Sequence, residues 1–338
     1  MPSWVYEEMN KSLIAFFSIL TLSFSQTLIS ANAMENGFDA PPDGRTVSIS
    51  ADPMGIVCTG FLYTERIVLT AGHCLFNGQT KERLSNSKIG IPNETFSRES
   101  KKISASKSFL ASNWAWSDEN NFNPQGEFGI YVLSEPIPVK GKVTIASKNK
   151  INDYLSQGIL ITNIAYGKQT PEQDWSGYPS RSPKFAQFPL VGYETVKLDV
   201  DQALRFEGKN RKYNMTIHVL QVPGGPSTCG GDSGSPFYVK EGEDFVYLGP
   251  LSNGIGGIPN CSGNPWKGNK MYSGAVEGND YLGLIAEAEK FVADNPYVEP
   301  KVTNSSSNKK TTITCIKGKT TKKVTGANPK CPGGYKKI

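Results

Sequence analysis

The 338-residue chain contains two histidines, so any chemistry that needs a general base near neutral pH has little choice of imidazole. Cys-x-x-Cys is absent, and the six cysteines form an even set. Both facts argue against a metal site or a lone reactive thiol. After residue 33 no run is long and apolar enough to span a membrane. Helix-length apolar periodicity is missing before Tyr281, which predicts a body built mainly of strands. Acid is missing from the end of the chain: residues 301–338 carry ten lysines and no Asp or Glu. The net charge of +5 hides this asymmetry, because the remainder is mildly acidic.

What is present first is an export signal. Leu13-Ile14-Ala15-Phe16-Phe17-Ser18-Ile19-Leu20 follows Lys11 and precedes Ala31-Asn32-Ala33. This is the pattern of a secretory leader with an A-x-A cleavage site, and Ser23, Ser25, Gln26 and Thr27 make the run short for a membrane anchor. Glu7 and Glu8 are unusual in a leader's basic start, and Met9 is a second candidate initiator. Export makes disulfides plausible.

Beyond the leader the chain reads as short strands separated by turns: 47–49, 55–63, 67–70, 88–91, 102–104 and 126–133. Pro136 and Pro138 mark a linker, and the same rhythm resumes over 158–167, 186–195, 197–200, 215–222, 237–239 and 245–252. Tyr281, Leu284, Ile285, Ala288, Phe291 and Val292 then fall on one helical face, ended by Pro296. The expected class is all-β: two antiparallel barrels, a closing helix and a small basic tail.

Two stretches carry chemistry. Cys229-Gly230-Gly231-Asp232-Ser233-Gly234-Ser235-Pro236 sets a serine between glycines on a tight turn, where the amides of Gly231 and Ser233 can face a developing oxyanion. Asp232 is a carboxylate that needs a partner if the turn is packed. Ile67-Val68-Leu69-Thr70-Ala71-Gly72-His73-Cys74 is a buried strand with His73 at its mouth, where a base is needed. Together, in this order, the two motifs resemble the chymotrypsin-like (trypsin-fold) serine proteases, over about Met34 to Asn295. The secreted bacterial members are the expected subgroup.

The resemblance implies roles. Ser233 is the expected nucleophile, His73 the base, and Glu127 the carboxylate that orients His73. The family carries an aspartate in place of Glu127, so Asp118 in the preceding loop stays open as an alternative, as does an impaired triad. Met34 resembles the start of a mature family chain, whose free ammonium would pair with Asp232. Ser227 corresponds to the floor of the primary pocket. Ser252, Asn253 and Gly254 correspond to the edge that pairs with a substrate backbone. A neutral Ser227 disfavours cleavage after Lys or Arg. Aromatic or long apolar residues are one expected preference, and acidic or small residues are another if Lys270 lies in the pocket wall. Cys58 with Cys74, and Cys229 with Cys261, are the pairings implied, which leaves Cys315 with Cys331.

The expected organisation is a leader (1–33), a first barrel (34–140), a second barrel with its helix (141–296), a polar linker (297–312) and a lysine-rich tail (313–338). No cofactor, no metal and no nucleic acid is expected. The expected partners are protein or peptide substrates, with an anionic cell-envelope polymer for the tail, which resembles short lysine-rich ends of secreted bacterial proteins. The expected location is extracellular. The other class of function left open is a secreted pseudoprotease, a binding protein that keeps the fold without turnover.

Overall fold

A computed structural model describes residues 34–338 except 53, 119–123, 169–179, 198–214, 223, 257–270 and 300–309. The leader, Lys270 and Cys261 lie outside the described residues. The chain divides into two compact units, Met1–Pro296 and Tyr297–Ile338.

The first unit starts with β1 (Phe38–Asp39), which pairs with a later strand. Next come β2 (Thr46–Ala51), β3 (Gly55–Leu62), β4 (Ile67–Thr70), β5 (Ser87–Gly90), β6 (Lys102–Leu110) and β7 (Gly129–Leu133). These six close into a barrel in the order β2-β3-β4-β7-β6-β5. After β8 (Val143–Ile145) and a helix α1 (Lys148–Gln157) come β9 (Leu160–Ala165), β10 (Lys184–Val191), β11 (Ile217–Gln221), β12 (Pro236–Glu241), β13 (Asp244–Gly256) and β14 (Met271–Ala275). They form a second ring, β9-β10-β11-β14-β13-β12, closed by the pairing of Tyr238 with Thr162. The helix α2 (Leu282–Asp294) ends the unit. Two antiparallel barrels with a terminal helix are thus present.

The apolar run 67–69 serves two cores at once, because successive strand side chains point to opposite faces. Val68 belongs to the first barrel's interior with Val47, Ile49, Leu62, Ile89 and Leu133. Ile67 and Leu69 belong to a second cluster with Ile130, Val132, Tyr238, Tyr247 and Ile285, which joins the two barrels and α2. Each such side chain contributes roughly 1.5–3 kcal/mol on burial. Arg45 fastens the connection between barrels: its buried guanidinium donates to the carbonyls of Leu62 (2.6 Å), Lys140 (2.8 Å) and Gly141 (2.6 Å).

Two local expectations are corrected. α1 is a helix before Tyr281, capped by Ser147, whose Oγ accepts the Lys150 N–H, and ended by left-handed Gly158. Only Ile151 and Tyr154 are buried on it, so its apolar period was too faint to see, although both caps stood in the sequence. Lys197, expected to open a strand, lies in a helical turn at 193–197.

In the second unit β15 (Thr311–Lys317), β16 (Thr320–Gly326) and β17 (Lys336–Lys337) form a small sheet in the order β16-β15-β17. Gly318, at φ 58°, makes the turn. A Cys315–Cys331 disulfide staples it. A sheet this small has little core and leans on such a link.

Candidate active site

β4 delivers His73 into a short 3-10 turn, Gly72–Leu75, tied to β3 by the Cys58–Cys74 disulfide. Gly72 is required there. A Cβ on it would stand 2.4 Å from the ring of Trp114, which covers the turn. Trp114 is held by stacking on Phe76, with ring centroids 4.2 Å apart, and by the edge of Trp116. The sulfurs of Cys58 and Cys74 lie within 4.8 Å of a His73 nitrogen, but both are consumed in the disulfide and leave no thiolate for a metal.

Glu127 is fully buried and collects four donors. Its Oε2 takes His73 Nδ1 at 2.6 Å and Ser252 Oγ at 2.6 Å. Its Oε1 takes the His73 backbone N–H at 3.1 Å and Trp114 Nε1 at 3.2 Å. Burial works against its ionisation, but the charge of His73 and the bonds from His73, Ser252 and Trp114 outweigh that and hold the carboxyl below its ordinary value. Burial likewise works against a charged His73, yet the Glu127 carboxylate outweighs it and raises the imidazole. Phe128 N–H bonds to Gly126 C=O at 2.6 Å, a three-residue γ-turn centred on Glu127. Gly126 adopts φ 59°, and a Cβ there would strike Asn113 and Trp114. Asp118 is exposed in the preceding loop, and the carboxylate beside His73 is that of Glu127.

The serine turn is locked between the barrels. Thr59 N–H bonds to Ser233 C=O at 2.8 Å, and Thr59 Oγ1 donates to Gly231 C=O at 3.1 Å. Gly234 N–H bonds to Leu251 C=O at 2.6 Å. Gly234, at φ 81°, has no room for a side chain: a Cβ would lie 2.0 Å from Thr70 Oγ1 and 3.1 Å from the Ala71 nitrogen. The turn bearing Ser233 is therefore pressed against the end of β4 that leads to His73. Ser233 itself stays half-exposed. Gly231 has φ 90°, and among the described residues neither its N–H nor that of Ser233 has an acceptor.

Asp232 is fully buried and accepts the N–H groups of Gly167 (2.9 Å) and Cys229 (2.6 Å). Burial pushes its carboxyl up to about 7, against those two bonds and the positive charge of the buried Arg181. Met34 is buried in the second barrel's core, its nitrogen here joined to Ala33 by a peptide bond. Glu35 C=O takes the Ser227 N–H at 2.8 Å, so this segment lies against the serine loop. Ser227 is buried, and behind it Gln221 bonds to the Thr228 N–H and hydroxyl, both at 3.1 Å, and to Ser273 Oγ. Asn253 and Gly254 pair with β14 on one side, Ser252 standing at a β-bulge, while among the described residues β12 reaches Pro250 on the other. Ser252 also turns its hydroxyl to Glu127. Cys229 is disulfide-bonded.

Sequence reasoning missed Trp114, Gln221, Thr228 and Ser273 as parts of the site. The indole's bond to Glu127 had no local signal. The buried polar trio shows only once β11 and β14 pair.

Comparison with known proteins agrees with this geometry. Scolexin B of Heliothis virescens is 29% identical over 191 residues, 54% of this chain and 60% of that protein. The chain thus matches less than two thirds of that relative's length. A family model, Trypsin, matches residues 35–264, well over half of the chain, and takes in His73, Glu127 and Ser233. The chain belongs to the trypsin family.

Proposed function

We propose that the protein is a secreted serine endopeptidase that works through an acyl-enzyme. Ser233 Oγ attacks the scissile carbonyl while His73 takes its proton, then returns it to the leaving amine. Glu127, bonded to Nδ1, holds the imidazole with its other nitrogen toward the serine and offsets the charge it acquires. The N–H groups of Gly231 and Ser233 receive the oxyanion. Water then repeats the sequence to release the acid. The observation that carries this reading is the buried Glu127, with four donors fixing it against His73 beside the Gly234–Thr70 contact.

Met34 completes the site when its nitrogen is freed. A cut after Ala33 leaves an ammonium next to the Ser227–Asp232 loop, where it replaces proton binding as the means of neutralising Asp232. Among the described residues, those bonded together behind Ser227 are an amide and two hydroxyls, Gln221, Thr228 and Ser273, which supports cleavage after residues other than Lys and Arg. The edge at 252–254, which β12 does not reach among the described residues, supports pairing with an extended substrate. The tail, eight lysines over residues 310–338 and no acid, supports retention at an anionic envelope polymer by charge. Among the described residues no helix is long and apolar enough to cross a membrane.

A serine-directed phosphonate tests the proposal. The mature protein is expected to be labelled once, with labelling lost in Ser233→Ala. A folded mature protein that never labels identifies the pseudoprotease instead.

A further inference from the structure

The flank of the first barrel holds a second cleft, of about 350 Å³. Its lining includes Arg83, Lys107, Ser85, Ser106, Ser108 and Tyr131, with no carboxylate. Neither Arg83 nor Lys107 has a carboxylate partner among the described residues. Lys107 Nζ lies 6.0 Å from the centroid of the Phe109 ring. Two like charges that line one concavity repel each other, and a surface pair normally relieves this with an acid. Here none is supplied.

The cleft is shaped by specific local structure. A β-bulge between Ala105 and Lys107 leaves Ser106 as an extra residue in β6, and both Ser106 and Lys107 reach the cleft. Ser106 Oγ closes the bulge by donating to Val132 C=O at 3.1 Å. Arg83 makes one Nη2 bond to Ser108 C=O at 3.0 Å, which leaves its remaining N–H groups for another acceptor. The hydroxyls of Ser85 and Ser108 have no partner among the described residues. Tyr131 is not free to donate. Its buried hydroxyl already donates to Cys74 C=O at 3.0 Å and accepts from Ser87 at 2.9 Å.

We propose that this cleft is an oxyanion exosite that binds a phosphate or sulfate group. A guanidinium fork, an ammonium and two free hydroxyls match the several oxygens of such a group better than they match a single carboxylate. The volume exceeds what one inorganic anion fills, so the group is expected to arrive on a sugar of a phosphorylated or sulfated polymer. The inference concerns binding alone and stands whether or not the Ser233 site turns over.

Calorimetric titration of the full chain carrying Ser233→Ala tests it, with inorganic sulfate, inorganic phosphate, a sulfated disaccharide and its unsulfated parent as probes. The expected result is saturable binding of the sulfated disaccharide, competition by sulfate or phosphate, and no binding of the parent. The double variant Arg83→Gln/Lys107→Gln is expected to bind at least tenfold more weakly. Circular dichroism shows that the variant is folded, and Lys107→Gln alone, at an exposed position, serves if it is not. Binding of the inorganic anions with none of the sulfated sugar restricts the site to free anions and overturns the polymer as its source. No saturable binding, or undiminished binding by the double variant, which would place the anion on the tail lysines, overturns the exosite.

Discussion

The Ser252 hydroxyl, on β13 of the second barrel, donates at 2.6 Å to Oε2 of Glu127 in the first. The same oxygen meets His73 Nδ1. The orientation of the proposed base therefore depends on both barrels being docked. Ser252→Ala is expected to lower kcat several-fold with little change in KM, because it removes one of four donors to the carboxylate and leaves the backbone edge assigned to substrate unchanged. Steady-state kinetics on a peptide ester checks this. A pure KM effect would assign Ser252 to substrate binding alone.

Glu127 raises His73 above its ordinary 6.5, so the acid limb of kcat/KM is expected above that value. Glu127→Gln should move the limb to lower pH and cut kcat by roughly 10³–10⁴. The stability of the pair follows its two signs. The His73 contribution is complete below 6.5 and is lost as pH rises through the raised value. The Glu127 contribution is present above 4.5 and is lost as pH falls through the lowered value. Unfolding midpoints of Glu127→Gln and the parent, measured across pH, should differ most between those two values.

Asp232 behaves in the opposite sense to a paired carboxylate while the leader is attached. Its carboxyl is raised from 3.8 to about 7, so its contribution is complete below 3.8 and is lost as pH rises through 7. The uncut chain should lose about 4 kcal/mol over that interval. Asp232→Asn should remove this loss in the uncut chain, yet abolish activity in the cut one. Chemical denaturation at pH 5 and pH 8 spans about 3 kcal/mol of the first effect, and ester hydrolysis after cleavage measures the second.

Gly72→Ala is expected to destabilise the protein by about 1–3 kcal/mol, since a Cβ at 2.4 Å displaces the Trp114 ring. The displacement also breaks the indole bond to Glu127, so activity should fall further than stability. Near-ultraviolet circular dichroism reports the ring, and kinetics report the bond. Unchanged activity would show that Trp114 only packs.

Removing residues 301–338 is expected to leave ester hydrolysis unchanged, because the lysine-rich sheet belongs to a separate compact unit. Salt-sensitive retention on an anionic polymer column should fall. Retention equal to that of the full chain would place envelope binding elsewhere.

Much of the site was legible because local chemistry demands particular residues. Gly234 stands where a Cβ has no space, His73 follows a strand buried on both faces, and Ser233 sits on a turn that glycines permit. The alternation at 67–69 and the period from Tyr281 likewise encode which faces are buried. Those features were set by neighbours in the chain. What only the tertiary structure decided were contacts between distant segments: Glu127 over Asp118 as the partner of His73, Ser252 and Trp114 as its additional donors, and Gln221 behind Ser227. The physical reason is that a hydrogen bond or a packed ring depends on separations in space. When partners lie 125 residues apart, as Ser252 and Glu127 do, no local pattern records their meeting. The same holds for the flank cleft, whose charge is assembled from β6 and the loop before β5.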